Sequence, residues 1–217
     1  MVTRNLLVKS MLSLAVLVVL GLLFAATLRD VTSEPYLVRQ DDLQRWSVGL
    51  STRVDPDGPL LLLRPPPALP LALFDQVFQR TMASFSSPAD SGIPLILTRE
   101  FETALAGVVA PDELVTLARR VGLETIRLEP ACMAVYRTVD GREQQLFFVL
   151  FDLPEFARFR AEVSELLVSR RGDVSRFSPD AVTPALLVAS SEGARTRDII
   201  PSRGDLEADC EAPVASG

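Results

Sequence analysis

Histidine is absent from this chain, and its one lysine, Lys9, stands ahead of a long apolar run near the N-terminus. The commonest general base and metal ligand is therefore missing. So is every lysine nucleophile or Schiff base that a domain beyond that run could use. A Ser–His–Asp triad, a Ser–Lys dyad and a histidine-ligated zinc site are excluded together. Cysteine is nearly as scarce, with only Cys132 and Cys210. Without a His or Lys beside it, neither is set up as a catalytic thiolate. No G-x-S-x-G, Walker loop, H-E-x-x-H or C-x-x-C occurs, so the usual signatures of hydrolases, nucleotide binding, zinc proteases and redox pairs are all missing.

Acid is lacking at the start of the chain. No Asp or Glu precedes Asp30, and residues 30–217 then carry 28 acidic against 19 basic residues, a net of −9. A domain this acidic lacks the field that condenses onto phosphate backbones, which argues against nucleic acid as a partner. Anionic headgroups would repel it as well, which leaves membrane affinity to the apolar run.

That run, Met11–Leu28, reads MLSLAVLVVLGLLFAATL, 18 residues without a charge. As a helix it spans roughly 27 Å, close to the thickness of a hydrocarbon core. Leu6, Leu7 and Val8 can extend it while Lys9 reaches back to the interface. A cleaved secretory signal has a shorter apolar stretch and an A-x-A-like site. Here Phe24-Ala25-Ala26 puts Phe where a small residue belongs, and Ala25-Ala26-Thr27 ends on Thr. The run reads as an uncleaved, single-pass signal-anchor in the cell membrane. Arg4 and Lys9 before it, against Arg29 after it, favour an inside N-terminus by a small margin. The short N-terminal tail and the cysteines point the same way, placing the rest of the chain outside the cytoplasm, periplasmic or extracellular. Two cysteines in such a chain predict one disulfide, Cys132–Cys210, which would pin the polar segment GDLEADCEAP to a sheet. The alternative is a buried Cys132 acting as a small hydrophobe and a free, exposed Cys210.

The chain then divides into a cytoplasmic tail and transmembrane anchor (1–29), a juxtamembrane spacer (30–45), an α+β domain (46–200) and an acidic C-terminal tail (201–217). Trp46–Val54 alternates like a half-buried strand. Asp55-Pro56-Asp57-Gly58-Pro59 is a turn; it resembles part of a calcium loop but lacks the remaining ligands. Leu60–Leu63 is a short strand, and the proline-rich 64–70 a stiff connector. A helix over 71–85 is predicted to bury Phe74, Val77, Phe78, Met82 and Phe85. Ile93–Leu97 is a buried strand. Helices follow over 99–109 and from Pro111 to Gly122. Ala131–Val139 and Arg142–Phe151 flank Asp140-Gly141, a two-residue type I′ turn that would pair Val135 with Leu146 and Cys132 with Val149. Leu146–Phe151 is apolar on both faces, which predicts an interior strand. Asp152 and Glu155 read as a capping box for a helix burying Phe156, Phe159, Val163, Leu166 and Leu167. Ala185–Ser190 is a last strand. The expected fold is α+β: an antiparallel sheet with helices on one face, its order from residue 93 compatible with a ferredoxin-like βαββαβ layer.

Acid chemistry by paired carboxylates is what the inventory leaves open. The candidates are Glu100 with Glu102, Asp112 with Glu113, and Asp152 with Glu155. Each pair has a plain structural use at a helix start, through caps or the helix dipole. Arg-Gly-Asp occurs at 171–173 and 203–205, a frequency that an arginine-rich chain with acidic turns reaches by chance. No metal or cofactor is expected. The sequence therefore reads as a noncatalytic, membrane-anchored binding module with a protein partner in the cell envelope. The alternatives are a carboxylate-dependent hydrolase of an envelope polymer and a sensor for a small ligand.

Overall fold

Leu146 to Phe151 occupies the middle of a sheet, as its two apolar faces require. The computed structural model describes residues 16–21, 34–52, 55–56, 58–88, 90–138, 144–191 and 201–217. The chain divides into two units, Met1–Glu34 and Pro35–Gly217. In the first, residues 16–21 are helical, and most of the expected span Met11–Leu28 lies outside the described residues. Among the described residues, no helix is long and apolar enough to cross a membrane.

The second unit is mixed α+β. Its elements run β1 (Tyr36–Val38), a 3-10 turn (Gln40–Leu43), β2 (Ser47–Leu50), β3 (Pro59–Arg64), α1 (Ala68–Thr81), β4 (Phe85–Ser86) and β5 (Ile93–Leu97). One α turn, Thr98–Glu100, then widens into a π turn, Phe101–Leu105. After it come α2 (Pro111–Val121), β6 (Glu129–Thr138), β7 (Gln144–Asp152), α3 (Pro154–Ser169), β8 (Ala185–Ser191), α4 (Arg203–Ala208) and β9 (Cys210–Ser216). One sheet has six strands in the order β1-β9-β6-β7-β8-β4; the other has three, β2-β3-β5. The pairings do not confirm the ferredoxin-like order. β5 pairs with β3 in the smaller sheet, and β8 lies directly beside β7. The strand expected at the edge, within 46–54, also joins the smaller sheet.

The hairpin β6–β7 is present with its register displaced by one residue. Val135 faces Phe147 and Cys132 faces Leu150, where the two-residue turn predicts Leu146 and Val149. The pair Thr138–Gln144 encloses an odd number of residues, 139–143, whereas a two-residue loop needs an even count. Asp140 and Gly141 themselves lie outside the described residues. An irregularity between Pro130 and Cys132 restores the expected pairing at the base, where Glu129 meets Asp152. The shift settles which side chains share a face. Cys132, Ala134, Leu146, Phe148 and Leu150 gather with Ala185 and with Leu206 of α4. Met133, Val135, Phe147, Val149 and Phe151 turn to the main core, against Phe156, Phe159, Val163 and Leu167 of α3.

α1 differs from its expected facing. It buries Leu69, Leu73 and Val77, while Phe78 and Met82 are exposed and Phe74 is half-buried. The helix carries two apolar faces, and the sheet takes the one that the proline-rich approach brings inward. Residues 64–67 serve as the stiff connector expected, but the helix starts inside the proline-rich stretch, at Ala68. At α3 the Asp152–Glu155 capping box does not form. Asp152 stays in β7 opposite Glu129, Leu153 takes the N-cap position, and Pro154 fills the first helical position, where no N–H partner is needed.

Residues 201–217, expected as an acidic tail, supply α4 and β9. A reciprocal capping box starts α4: Asp205 N–H donates to Ser202 Oγ and Ser202 N–H donates to the Asp205 carboxylate. The first half of β9 pairs with β6 and the second half with β1, in parallel. Cys132 and Cys210 form the expected disulfide, with Cα atoms 5.8 Å apart. The spacer 30–45 likewise contributes β1, whose open side is closed by α1: Leu37 N–H donates to Gln76 Oε1, and Gln76 Nε2 donates back to Leu37 O, both at 2.8 Å. One amide side chain thus imitates a neighbouring strand.

The bridge closes a loop of 78 residues, for which chain entropy gives roughly 4 kcal/mol of stabilisation. Replacing both cysteines by alanine is expected to lower the urea midpoint by a corresponding amount at an unchanged slope. A midpoint within error of the parent's would show that β9 holds without the bridge.

Candidate functional site

The acids singled out in the sequence lie at three places where charged groups gather on a built scaffold, and each of these places uses arginine as its cation. The first is buried. Arg160 lies on the core-facing side of α3, between Phe156, Phe159 and Val163, and is fully buried. All five of its N–H donors are used. Nε donates to Pro179 O (2.6 Å). Nη1 donates to Leu95 O (2.9 Å) and Glu100 Oε2 (3.2 Å), and Nη2 to Glu100 Oε1 and Ser178 O (both 2.6 Å). Its guanidinium sits 4.7 Å from the centre of the Phe177 ring. Glu100, 12% exposed, also accepts from Leu97 N–H at 3.0 Å. Glu100 is thus spent on the ion pair and on a helix start. Nothing brings the exposed Glu102 into the same network.

The second place is a surface cleft of about 320 Å³ between α2 and α3, lined by Asp112, Glu113, Thr116, Leu117, Arg120, Leu166 and Arg170. Leu117 and Leu166 form an apolar floor under a charged rim. α2 takes its place because Leu114, Leu117, Ala118 and Val121 bury one face, Pro111 starts it and Gly122 ends it at φ +95°. On the rim, Arg170 grips Glu113 through both Nη atoms (2.6 and 2.9 Å) and Val108 O through Nη1 (2.8 Å). Glu113 also accepts from Ala110 N–H at 2.8 Å. The Arg170 hydrogen bonds, helped by that backbone N–H, hold the Glu113 carboxyl at about 2 instead of 4.5. Arg120 pairs with Glu162 at 3.1 Å. Both cleft arginines therefore already face carboxylates. A general acid needs a raised pKa, and Glu113 is moved the other way.

The third place is around α4. Arg203 binds Glu207 at 2.7 Å and lies 3.5 Å from Asp152. Arg203 and Asp205, from the second Arg-Gly-Asp, are thereby taken up in a helix start. In the first, Asp173 caps a 3-10 turn through Ser175. Glu155 is only partly buried, and nothing joins it to Asp152. No group of three or more His, Cys, Asp or Glu side chains that could hold a metal occurs among the described residues.

Comparison with family models, with curated proteins and with solved structures yields no match to this chain. What the sites can do rests on their own chemistry.

The expected disulfide residues come together; of the candidate carboxylate pairs, Asp112 and Glu113 line one cleft, with Glu113 held by Arg170, while Glu100 with Glu102 and Asp152 with Glu155 are not brought together. The arginines that engage them escape a reading by periodicity. Arg160 did leave a signal, since it stands at a core position of an otherwise apolar helical face, where a charge is kept only with partners.

Arg160→Met should cost about 3–5 kcal/mol, because it strands Glu100 in the interior. Arg160→Met with Glu100→Met should cost less than the single change, though Leu95, Ser178 and Pro179 still lose their donor. Urea unfolding of the two variants decides, and equal losses would mean that the pairing with Glu100 carries little. The Glu113 interaction stabilises the fold fully above pH 4.5 and fades as pH falls through about 2. Glu113→Gln should flatten the fall in stability over that window, measured by denaturation at pH 5 and pH 3.

Proposed function

We propose that this chain is a membrane-anchored, extracytoplasmic binding module without turnover chemistry, and that the cleft between α2 and α3 receives a protein partner. The observation that carries the reading is the state of the acids. Of the carboxylates that could form a catalytic pair, Glu100 is committed to a buried arginine, Glu113 to Arg170 and a backbone N–H, and Asp152 faces Arg203. Acid–base catalysis near neutral pH needs a group poised near 7. The chain has no histidine, its lysine precedes the domain, and both thiols are in the disulfide. Binding makes no such demand. It needs an apolar centre and a polar rim, and Leu117 and Leu166 beneath Asp112, Thr116 and Arg120 offer both on a small scale. The disulfide supports an oxidising compartment, and the uncharged run before residue 29 supports attachment to a membrane there.

The test is crosslinking of the full chain in its own membranes, with the crosslinked peptides mapped. Crosslinks to one protein should concentrate on 111–121 and 162–170, and Leu166→Arg should remove them without changing the melting curve. Crosslinks indifferent to Leu166→Arg would move the partner site elsewhere. A hydrolase activity abolished by Asp112→Asn, with the fold intact, would replace this reading by the carboxylate-dependent hydrolase.

A further inference from the structure

Most of the charge around the cleft between α2 and α3 is already cancelled. Glu113 holds Arg170 through two hydrogen bonds, and Glu162 holds Arg120. Asp112 is the exception. It is exposed at the edge of the cleft, and among the described residues its carboxylate meets no arginine and accepts no hydrogen bond. A first-turn acid has a use without any ligand, since it suits the positive end of a helix dipole. The start of α2 has a second such acid, however. Glu113 stands in the same turn and accepts from Ala110 N–H. Of the two, only Asp112 keeps its oxygens free.

The rim and its pairs hold three acids, Asp112, Glu113 and Glu162, against two arginines, Arg120 and Arg170, which leaves one negative charge in excess. The domain around it has the same sign, with 28 acidic against 19 basic residues over 30–217. The free acceptor and the surrounding field therefore select the same kind of group, a cation. A metal ion is a poor match. One free carboxylate supplies too few ligands, and no group of acids that could hold a metal occurs among the described residues. Beside Asp112 the floor is apolar, formed by Leu117 and Leu166. A side chain that satisfies both the floor and the carboxylate needs a long alkyl stem ending in a positive charge. Lysine and arginine have that form.

We propose that the partner received by the cleft presents a basic segment, one lysine or arginine of which lays its stem on Leu117 and Leu166 and brings its cation to Asp112. This rests on the cleft being a partner site, as put forward above. The acidic surface speeds the approach of such a segment, Asp112 selects it, and the apolar floor slows its departure.

The experiment uses the full chain in its own membranes, with the photo-crosslinking residue benzoylphenylalanine in place of Thr116, an exposed residue of the cleft. Its crosslinks report occupancy whatever the charge of the occupant, and mapping the crosslinked peptide shows the partner's residues. Three changes are compared in this background: Asp112→Asn, Asp112→Glu, and Glu102→Gln, which removes the same charge from an exposed site outside the cleft. Melting curves check the fold of each. The expected result is a partner peptide that contains Lys or Arg, with a yield roughly tenfold lower for Asp112→Asn. Asp112→Glu should keep most of the yield, and Glu102→Gln all of it. Added salt should lower the yield of the parent and leave that of Asp112→Asn nearly unchanged. Crosslinks from position 116 that are indifferent to Asp112→Asn overturn the basic segment and leave the cleft standing as a partner site. Equal losses with Asp112→Asn and Glu102→Gln trace the effect to the overall charge of the domain and overturn the contact at Asp112. No crosslink from position 116 removes the partner from the cleft, and the basic segment falls with it.

Discussion

The guanidinium of Arg160 is the point to which four stretches of the domain are tied. It reaches β5 at Leu95, the helical turn at Glu100, the loop at Ser178 and Pro179, and its own helix α3. A buried charge is tolerated only if its lost hydration is replaced group by group. Here five donors meet carbonyl oxygens and carboxylate oxygens, and an aromatic ring closes one face. Arginine suits this role because its fork is rigid and always charged. The main core packs Phe151, Phe159 and Leu167 in the same cluster, with the cation's own donors all satisfied.

The same device recurs in weaker forms. β1 and β5 are outer strands of their sheets, and backbone groups on each are taken by a side chain: Gln76 serves Leu37, and Arg160 serves Leu95. Sheet edges invite pairing with other chains, and covering them with side chains is one way to blunt that tendency. The surface arginines repeat the pattern on helix starts, where Arg170 binds the glutamate that also satisfies Ala110 N–H. In a domain whose cations are all arginines, acids become structural partners. This is the physical basis of the binding role proposed for the domain.

Much of this was legible beforehand. The β6–β7 hairpin, the interior position of β7, α2 with its proline start and glycine stop, and the Cys132–Cys210 bridge follow from local pattern and inventory. What escaped depends on choices that pattern does not record. α1 carries apolar residues on two faces, and periodicity chose Phe78 and Met82 for the core where packing chose Leu69 and Leu73. The hairpin register moved by one because the described pairs enclose an odd loop and an irregularity beside Ala131 absorbs the difference. Ile93–Leu97 looks like a strand in either sheet, and only long-range pairing sends it to β3. The cleft's acids were visible, but Arg120 and Arg170, which neutralise the rim, come from different helices and share no sequence motif.

β9 links the two ends of the domain. Among the described residues, β1 has its one strand partner in β9, which in turn is clipped to β6. A ribosome makes the chain from the N-terminus, so β1 is made well before β9 and must wait for it before it can pair. Until β9 is released, the larger sheet lacks both that strand and its covalent lock. A nascent chain stopped short of Cys210 would expose the β6 edge, which makes the arrival of β9 the step that completes the larger sheet.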